Sequence, residues 1–313
     1  MPANGIPVWA LYVITVAIWG SSWYGIKVQL GVVAPTVSLS YRFALAAAIL
    51  WLFCAVTRRS LRFPVASHIW MALQALCLFC GNYILFYYAG FHVVSGLLAL
   101  CFSTIPLMNV FNAAVFVGEP VDRNVILPSL ISLAGLVLVF LPEFMEKGLG
   151  SSPVIGFALS MVATYLASLG NVLSVKLKNV SVPVVQANTW GMTYGALFCA
   201  IVALVQGASF NYDPRTAYSV SLVLLAVFAS VIGFGTYLTL VQRIGAGRAA
   251  FSSVLFPLVA LSISTVVEDH HWTPLAVAGV VLVLSGNLIL LLRRRTPASG
   301  AAPAPQALKG PAQ

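Results

Sequence analysis

SLAGLVLVFL at residues 132–141 returns as VLSGNLILLL at 283–292, with Gly135 falling on Gly286. The same offset of 151 residues relates Pro106 to Pro257, Gly96 to Gly247 and Ala99 to Ala250, while Pro35 and Pro183 lie 148 apart, a difference one loop absorbs. Each string belongs to an apolar run long enough to cross about 30 Å of hydrocarbon as a helix. Ten such runs are read along the chain, at about 8–28, 35–56, 68–88, 93–117, 125–142, 153–175, 183–205, 219–240, 246–267 and 273–292. Proline and glycine separate them, among them Pro35, Pro64, Gly90, Pro142, Pro183 and Pro274. The chain therefore divides into two units, 1–147 and 148–295. A unit of five helices crosses an odd number of times, so its copy must insert upside down. The sequence predicts an all-α membrane protein of ten transmembrane helices in two inverted five-helix repeats. A Pro/Ala/Gly-rich tail over 296–313 follows and is predicted to be disordered.

Composition points the same way. Of 313 residues 60% are apolar and 7% charged, against about 25% charged in a soluble domain. Mean hydropathy is +0.99. The 16 basic and 7 acidic side chains could not coat a soluble protein of this size, which excludes a cytosolic globular enzyme. The net charge of +9 is scattered over short loops, so no nucleic-acid partner is expected. If the N-terminus is cytoplasmic, the inner loops and tail hold twelve basic residues and the outer side holds Lys27, Lys147 and Arg215, with Arg42 left inside a span. That asymmetry predicts both termini in the cytoplasm. No secretory signal is expected, because the first apolar run is too long for one and has no basic residues before it. The five cysteines all fall in apolar runs; Cys77 and Cys80 form a C-x2-C with no second pair, and packing is the expectation.

Inverted repeats are the architecture of alternating-access transporters, with the substrate near the midplane between the repeats. Pro106 and Pro257 lie near the centres of the fourth and ninth runs, where each removes a backbone hydrogen bond and can kink its helix. WGSSWYGIK at 19–27, the Arg42–Phe43 pair and STIPLMNVFNAAVFVGEPV at 103–121 resemble the drug/metabolite transporter superfamily, and within it the EamA-like ten-helix exporters. The resemblance covers roughly 8–292. It implies secondary export of small metabolites, often amino acids, with no bound cofactor. The second half departs from the pattern: EDHH at 268–271 replaces the Gly118–Glu119 pair, so Glu268 is not expected to take the role of Glu119.

Ionisable residues within a bilayer default to function. Arg42 lies about 10 Å along the second helix at 1.5 Å per residue, placed to hold a substrate carboxylate or to pair with a carbonyl of the first helix. Lys27 is expected to snorkel to the interface. No acidic residue falls in the middle of a span, so a midmembrane carboxylate relay, as in small multidrug exporters, is not expected. Aromatic residues recur at helical spacing: Trp19, Trp23 and Tyr24; Tyr83 and Tyr87 beside Asn82; Trp190 and Tyr194. As a set they suggest flat apolar walls, with Ser103, Thr104, Asn109, Asn112 and Asn171 as polar handles; for each, packing or an interhelical hydrogen bond is the competing reading. Gly191 and Gly195 allow close helix approach, and Gly233 and Gly235 either do the same or serve as a hinge with Pro106 and Pro257.

The resulting expectation is a secondary exporter of small metabolites, with hydrophobic or aromatic amino acids favoured, working as a monomer in a bacterial inner membrane. Drugs, purines and sugar derivatives are the alternative cargoes. An intramembrane enzyme would need a nucleophile–base pair or clustered acids at depth, and no G-x-S-x-G or H-E-x-x-H is present. A phosphate-binding loop for a primary pump is equally missing. No cofactor or metal is expected.

Overall fold

Proline stands at or just before the start of five helices. Pro35 opens α2 (Pro35–Val56), Pro274 opens α13 (Pro274–Arg293), and Pro7, Pro64 and Pro183 immediately precede α1 (Val8–Val28), α3 (Val65–Ala75) and α9 (Val184–Val205). At these positions the ring's fixed φ suits the first turn and its missing N–H is no loss. The remaining helices are α4 (Asn82–Ala89), α5 (Ser95–Phe102), α6 (Ile105–Val117), α7 (Ile126–Lys147), α8 (Ser152–Asn179), α10 (Thr216–Leu224), α11 (Phe234–Ile244) and α12 (Ser252–Val267). These come from a computed structural model that describes residues 6–118, 123–147, 152–244, 252–269 and 272–293. Glu119, Gly247, Ala250, His270, His271 and the 296–313 tail lie outside the described residues. Gly118, in the left-handed region at φ 77°, ends α6.

No strand occurs among the described residues. Among the described residues, six helical stretches are long and apolar enough to cross a membrane, and Ile126–Pro142, Leu255–Val267 and Pro274–Ile289 are shorter apolar helices. The outward faces of α2 and α9 expose Leu52, Val56, Leu204 and Val205. Water-soluble proteins rarely show apolar faces of that extent.

Two stretches are wound as π-helix, Leu76–Gly81 between α3 and α4 and Leu225–Gly233 between α10 and α11. Their starts lie 149 residues apart, close to the 151-residue offset of the matching strings. The packing pairs correspond as well. α2 packs on α9, and α7 on α13; α1 meets α12 as α8 meets α6, and α1 meets α11 as α8 meets α4. The Leu225–Gly233 segment lies against α2, and Leu76–Gly81 against α9. Gly191 and Gly195 are what allow the latter: a Cβ on either would stand 2.8 or 2.7 Å from the Phe79 ring and its Cβ.

The strings that match in sequence are the ones that pack face to face in α7 and α13. A Cβ on Gly135 would meet the Gly279 carbonyl at 2.5 Å, and one on Gly279 would meet the Gly135 carbonyl at 2.6 Å. Asn287 joins this seam to the fourth apolar run. Its Nδ2 donates to Ser103 Oγ at 3.1 Å, while Ser132 Oγ donates to its Oδ1 at 3.2 Å. Interhelical bonds of this kind contribute about 0.6–1.7 kcal/mol in membrane helices. Replacing Asn287 by Leu is therefore expected to destabilise by about 1 kcal/mol, and Gly135→Leu, which confronts backbone rather than a movable side chain, by about 1–3 kcal/mol or more. Thermal unfolding of the detergent-solubilised chain, with the two variants run side by side, checks that order.

Candidate substrate site

A cavity of about 100 Å³ lies between α1, the α3–α4 stretch, the α5–α6 junction, α8, α11 and α12. One water occupies roughly 10–15 Å³ on such a measure, so the space admits several waters or one compact solute. The walls are aromatic. Trp19 packs against Phe234 and Tyr237, both with centroids at 5.1 Å, and Phe256 at 5.5 Å. Trp23 lies 4.9 Å from Phe86 and 5.5 Å from Phe102, which are themselves 5.9 Å apart. The two tryptophans thus head two ring clusters, and both clusters contribute to the lining.

Polar handles are few and mutually bonded. Asn82 Nδ2 donates to the Ala163 carbonyl at 3.0 Å, and Asn171 Nδ2 donates to Asn109 Oδ1 at 3.3 Å. All three asparagines line the cavity, as do Ser22 and Ser253. The Asn109–Asn171 bond is long, which leaves amide groups available to a ligand. Asn112 sits one turn deeper, donates to Ser168 Oγ at 2.8 Å, and is fully buried.

Proline shapes two walls by different means. At Pro106 the fourth run is broken outright: α5 ends at Phe102, Ser103 and Thr104 form a turn, and Pro106 enters the first turn of α6. Ser103 Oγ and Thr104 Oγ1 donate to the Leu100 and Cys101 carbonyls, both at 2.7 Å. Pro257 instead stays inside α12. In each case proline denies an amide to the carbonyl four residues earlier, at Phe102 and Ser253, and both of those residues line the cavity.

Of the aromatic and polar candidates read from the sequence, Trp19, Trp23, Asn82, Tyr83, Asn109 and Asn171 line the cavity together with Pro106. The others stand elsewhere. Ser103 and Thr104 are buried in the break, and Tyr24 is half-buried outside the lining. Trp190 and Tyr194 form a separate corner with His68, where Trp190 Nε1 donates to the Leu61 carbonyl at 3.0 Å and the Tyr194 hydroxyl bonds His68 Nδ1 at 2.8 Å. Gly233 underlies Trp19, whose Nε1 donates to the Ala229 carbonyl at 3.0 Å, whereas Gly235 faces open space. Phe234, Tyr237 and Phe256 went unread in the sequence. The signal for them was their position, next to Gly233 and Pro257.

Arg42 is not part of the lining. It is 1% exposed, its Nε donates to Ser230 Oγ at 3.1 Å, and its guanidinium stacks on the Tyr83 ring, 4.7 Å from the centroid. Tyr87 is buried beside it and donates to Gln29 Oε1 at 2.5 Å. Lys27 is held at the end of α1 by backbone and a carboxylate. Its Nζ donates to the Gly90 and Val93 carbonyls and stands 4.0 Å from Glu268 Oε1. Glu268 accepts from the Ser95 amide at 3.0 Å and from the Ser95 hydroxyl. The end of the bundle past Trp23, Phe86 and Phe102 is therefore tied by a lysine, a carboxylate and the N-terminus of α5.

A family model for EamA-like transporters matches residues 7–141 and again 154–292. The chain belongs to the EamA-like transporter family. It is accordingly a multi-pass membrane transporter for a small molecule and not an enzyme. Among curated relatives of the family, it is 22% identical to Protein PagO of Salmonella typhimurium over 92% of this chain and 93% of that protein. It is 24% identical to a probable amino-acid metabolite efflux pump of Escherichia coli (89% and 93% covered) and 29% identical to a probable terminal-alkyne amino-acid exporter of Streptantibioticus cattleyicolor (92% and 94%). A solved crystal structure shares the fold, with a TM-score of 0.65 at 17% identity over 91% of this chain and 98% of that one.

The contrast between two glycines gives a test of the cavity wall. A Cβ on Gly233 would overlap Trp19 Nε1, while one on Gly235 has nothing within 4 Å. Gly233→Ala is expected to displace the indole and destabilise by about 1–3 kcal/mol, with a shift in tryptophan emission. Gly235→Ala is expected to be neutral or to stabilise by up to about 1 kcal/mol through helix propensity. Thermal unfolding and fluorescence of the two variants decide.

Proposed function

We propose that the protein is a secondary exporter of small metabolites whose favoured cargo is a hydrophobic or aromatic amino acid. The observation that carries this reading is the cavity itself: ring faces from α1, α11 and α12 on its walls, with Asn82, Asn109 and Asn171 as its few polar handles. Such a lining suits a solute with a flat apolar part and a small polar part. The names of two relatives, an amino-acid metabolite efflux pump and an amino-acid exporter, favour the same class.

The transport cycle in this reading is alternating access between two inverted five-helix halves, 1–147 and 148–295, with ten crossings and both termini in the cytoplasm of a bacterium. The reciprocal packing of α1, α6, α8 and α12, and of the two π segments, supports the repeat. Bacterial relatives support the inner membrane as its place. The break at Ser103–Thr104 and the proline within α12 supply the bends about which the halves rock, and a single chain contains the whole cavity, so a monomer suffices.

Counterflow into proteoliposomes tests the cargo. Vesicles preloaded with unlabelled phenylalanine or tryptophan are expected to accumulate labelled phenylalanine only when the protein is present. Uptake no greater than in empty vesicles would overturn the aromatic amino-acid reading.

A further inference from the structure

Arg42 presents an electrostatic problem that its neighbours do not solve. The side chain is 1% exposed, and no carboxylate among the described residues lies within ion-pair distance of it. Burying a cation without an anion is costly. Its surroundings offer two hydroxyls, Ser230 Oγ and that of Tyr87, and two ring faces, Tyr83 at 4.7 Å and Phe43 at 5.4 Å. Its Nη1 has no hydrogen-bond partner.

A second orphan donor stands in the same place. Gln29, immediately after α1, is 1% exposed, and its Nε2 is also unpartnered. The two side chains meet at Tyr87, whose hydroxyl donates to Gln29 Oε1 and lies against the guanidinium. Two unfilled donors, on the two side chains that meet at the Tyr87 hydroxyl, and an uncompensated positive charge call for a ligand that is anionic and has two acceptor oxygens. Tyr83 supplies the connection to the cavity: it is among the residues that line that space, and Arg42 stacks on its ring.

We propose that Arg42, Gln29 and Tyr87 form a carboxylate-binding pocket behind Tyr83, so that the cavity takes the apolar part of the cargo and this pocket takes its carboxylate when the Tyr83 ring turns aside. The pocket deepens the exporter reading, resting on it for the identity of the cargo but not for the binding of a carboxylate. It explains why a cation is kept where packing alone would favour an apolar residue.

The test uses the full chain purified in detergent and three probes: sodium benzoate, benzamide, and sodium chloride at matched concentration. At about tenfold above half-saturation, benzoate is expected to raise the unfolding midpoint by roughly 2–4 °C, with benzamide and chloride leaving it unchanged. Arg42→Gln is expected to abolish the benzoate response in a chain that still elutes as one species. Should that variant fail to fold, Gln29→Leu and Tyr87→Phe take its place, each expected to weaken the benzoate affinity by about tenfold. Equal responses to benzoate and benzamide, equal responses to benzoate and chloride, or unchanged benzoate responses in the variants would overturn the pocket. If phenylalanine counterflow fails while benzoate discrimination holds, the cargo assignment falls and the pocket stands; the reverse pattern removes the pocket alone.

Discussion

Hydrocarbon accepts no hydrogen bonds, and this constraint governs nearly every polar detail of the fold. Hydroxyls along the helices turn back onto their own backbone, as Ser160 does onto the Gly156 carbonyl and Thr164 onto that of Ser160, both at 2.7 Å. Irregular backbone appears only where something nearby satisfies it. The turn between α5 and α6 is closed by the Ser103 and Thr104 hydroxyls. In the Leu225–Gly233 segment, Ser230 Oγ donates to the Leu225 carbonyl at 3.1 Å, five residues back along the wider winding.

Helix spacing follows from side-chain size, and the cavity is a result of it. Where glycines face backbone, as Gly135 faces Gly279, helices close to contact and no space remains. Around α1 the opposite holds. Trp19 and Trp23 each wedge three or two rings between α1 and its neighbours, and rings pack edge to face with centroids near 5 Å rather than filling every gap. The space between these clusters is lined by groups that the glycine seams could not have left open. Gly233 is the exception that shows the rule, since its missing Cβ is what lets the Trp19 indole reach the Ala229 carbonyl.

Charge is handled in two ways in the same half of the bundle. Lys27 and Glu268 neutralise one another across α1 and α12 and are further held by the Gly90, Val93 and Ser95 backbone. Arg42 is given only hydroxyls and ring faces. Cation–π stacking offsets part of its desolvation, but it leaves directed N–H groups unfilled, which is why the two basic residues carry different functional weight. One ties an end of the bundle shut and the other awaits an acceptor.

The helices were legible in the sequence because their causes are local. Run length and proline position set their limits, and the first two runs, 8–28 and 35–56, coincide with α1 and α2. The matching strings at 132–141 and 283–292 marked the two helices that pack together, since close backbone approach demands small residues that are visible as letters. Other features were settled only by tertiary contacts. Trp19–Trp23 and Trp190–Tyr194 share the same four-residue spacing, yet the first pair lines the cavity and the second packs on His68. Spacing fixes which residues share a helix face, but the neighbour that face meets comes from a distant part of the chain. For the same reason Arg42 could be read as a buried cation, while its stacking on Tyr83 and its approach to Tyr87 could not. Those depend on where α4 lies against α2, and only the packed bundle decides that.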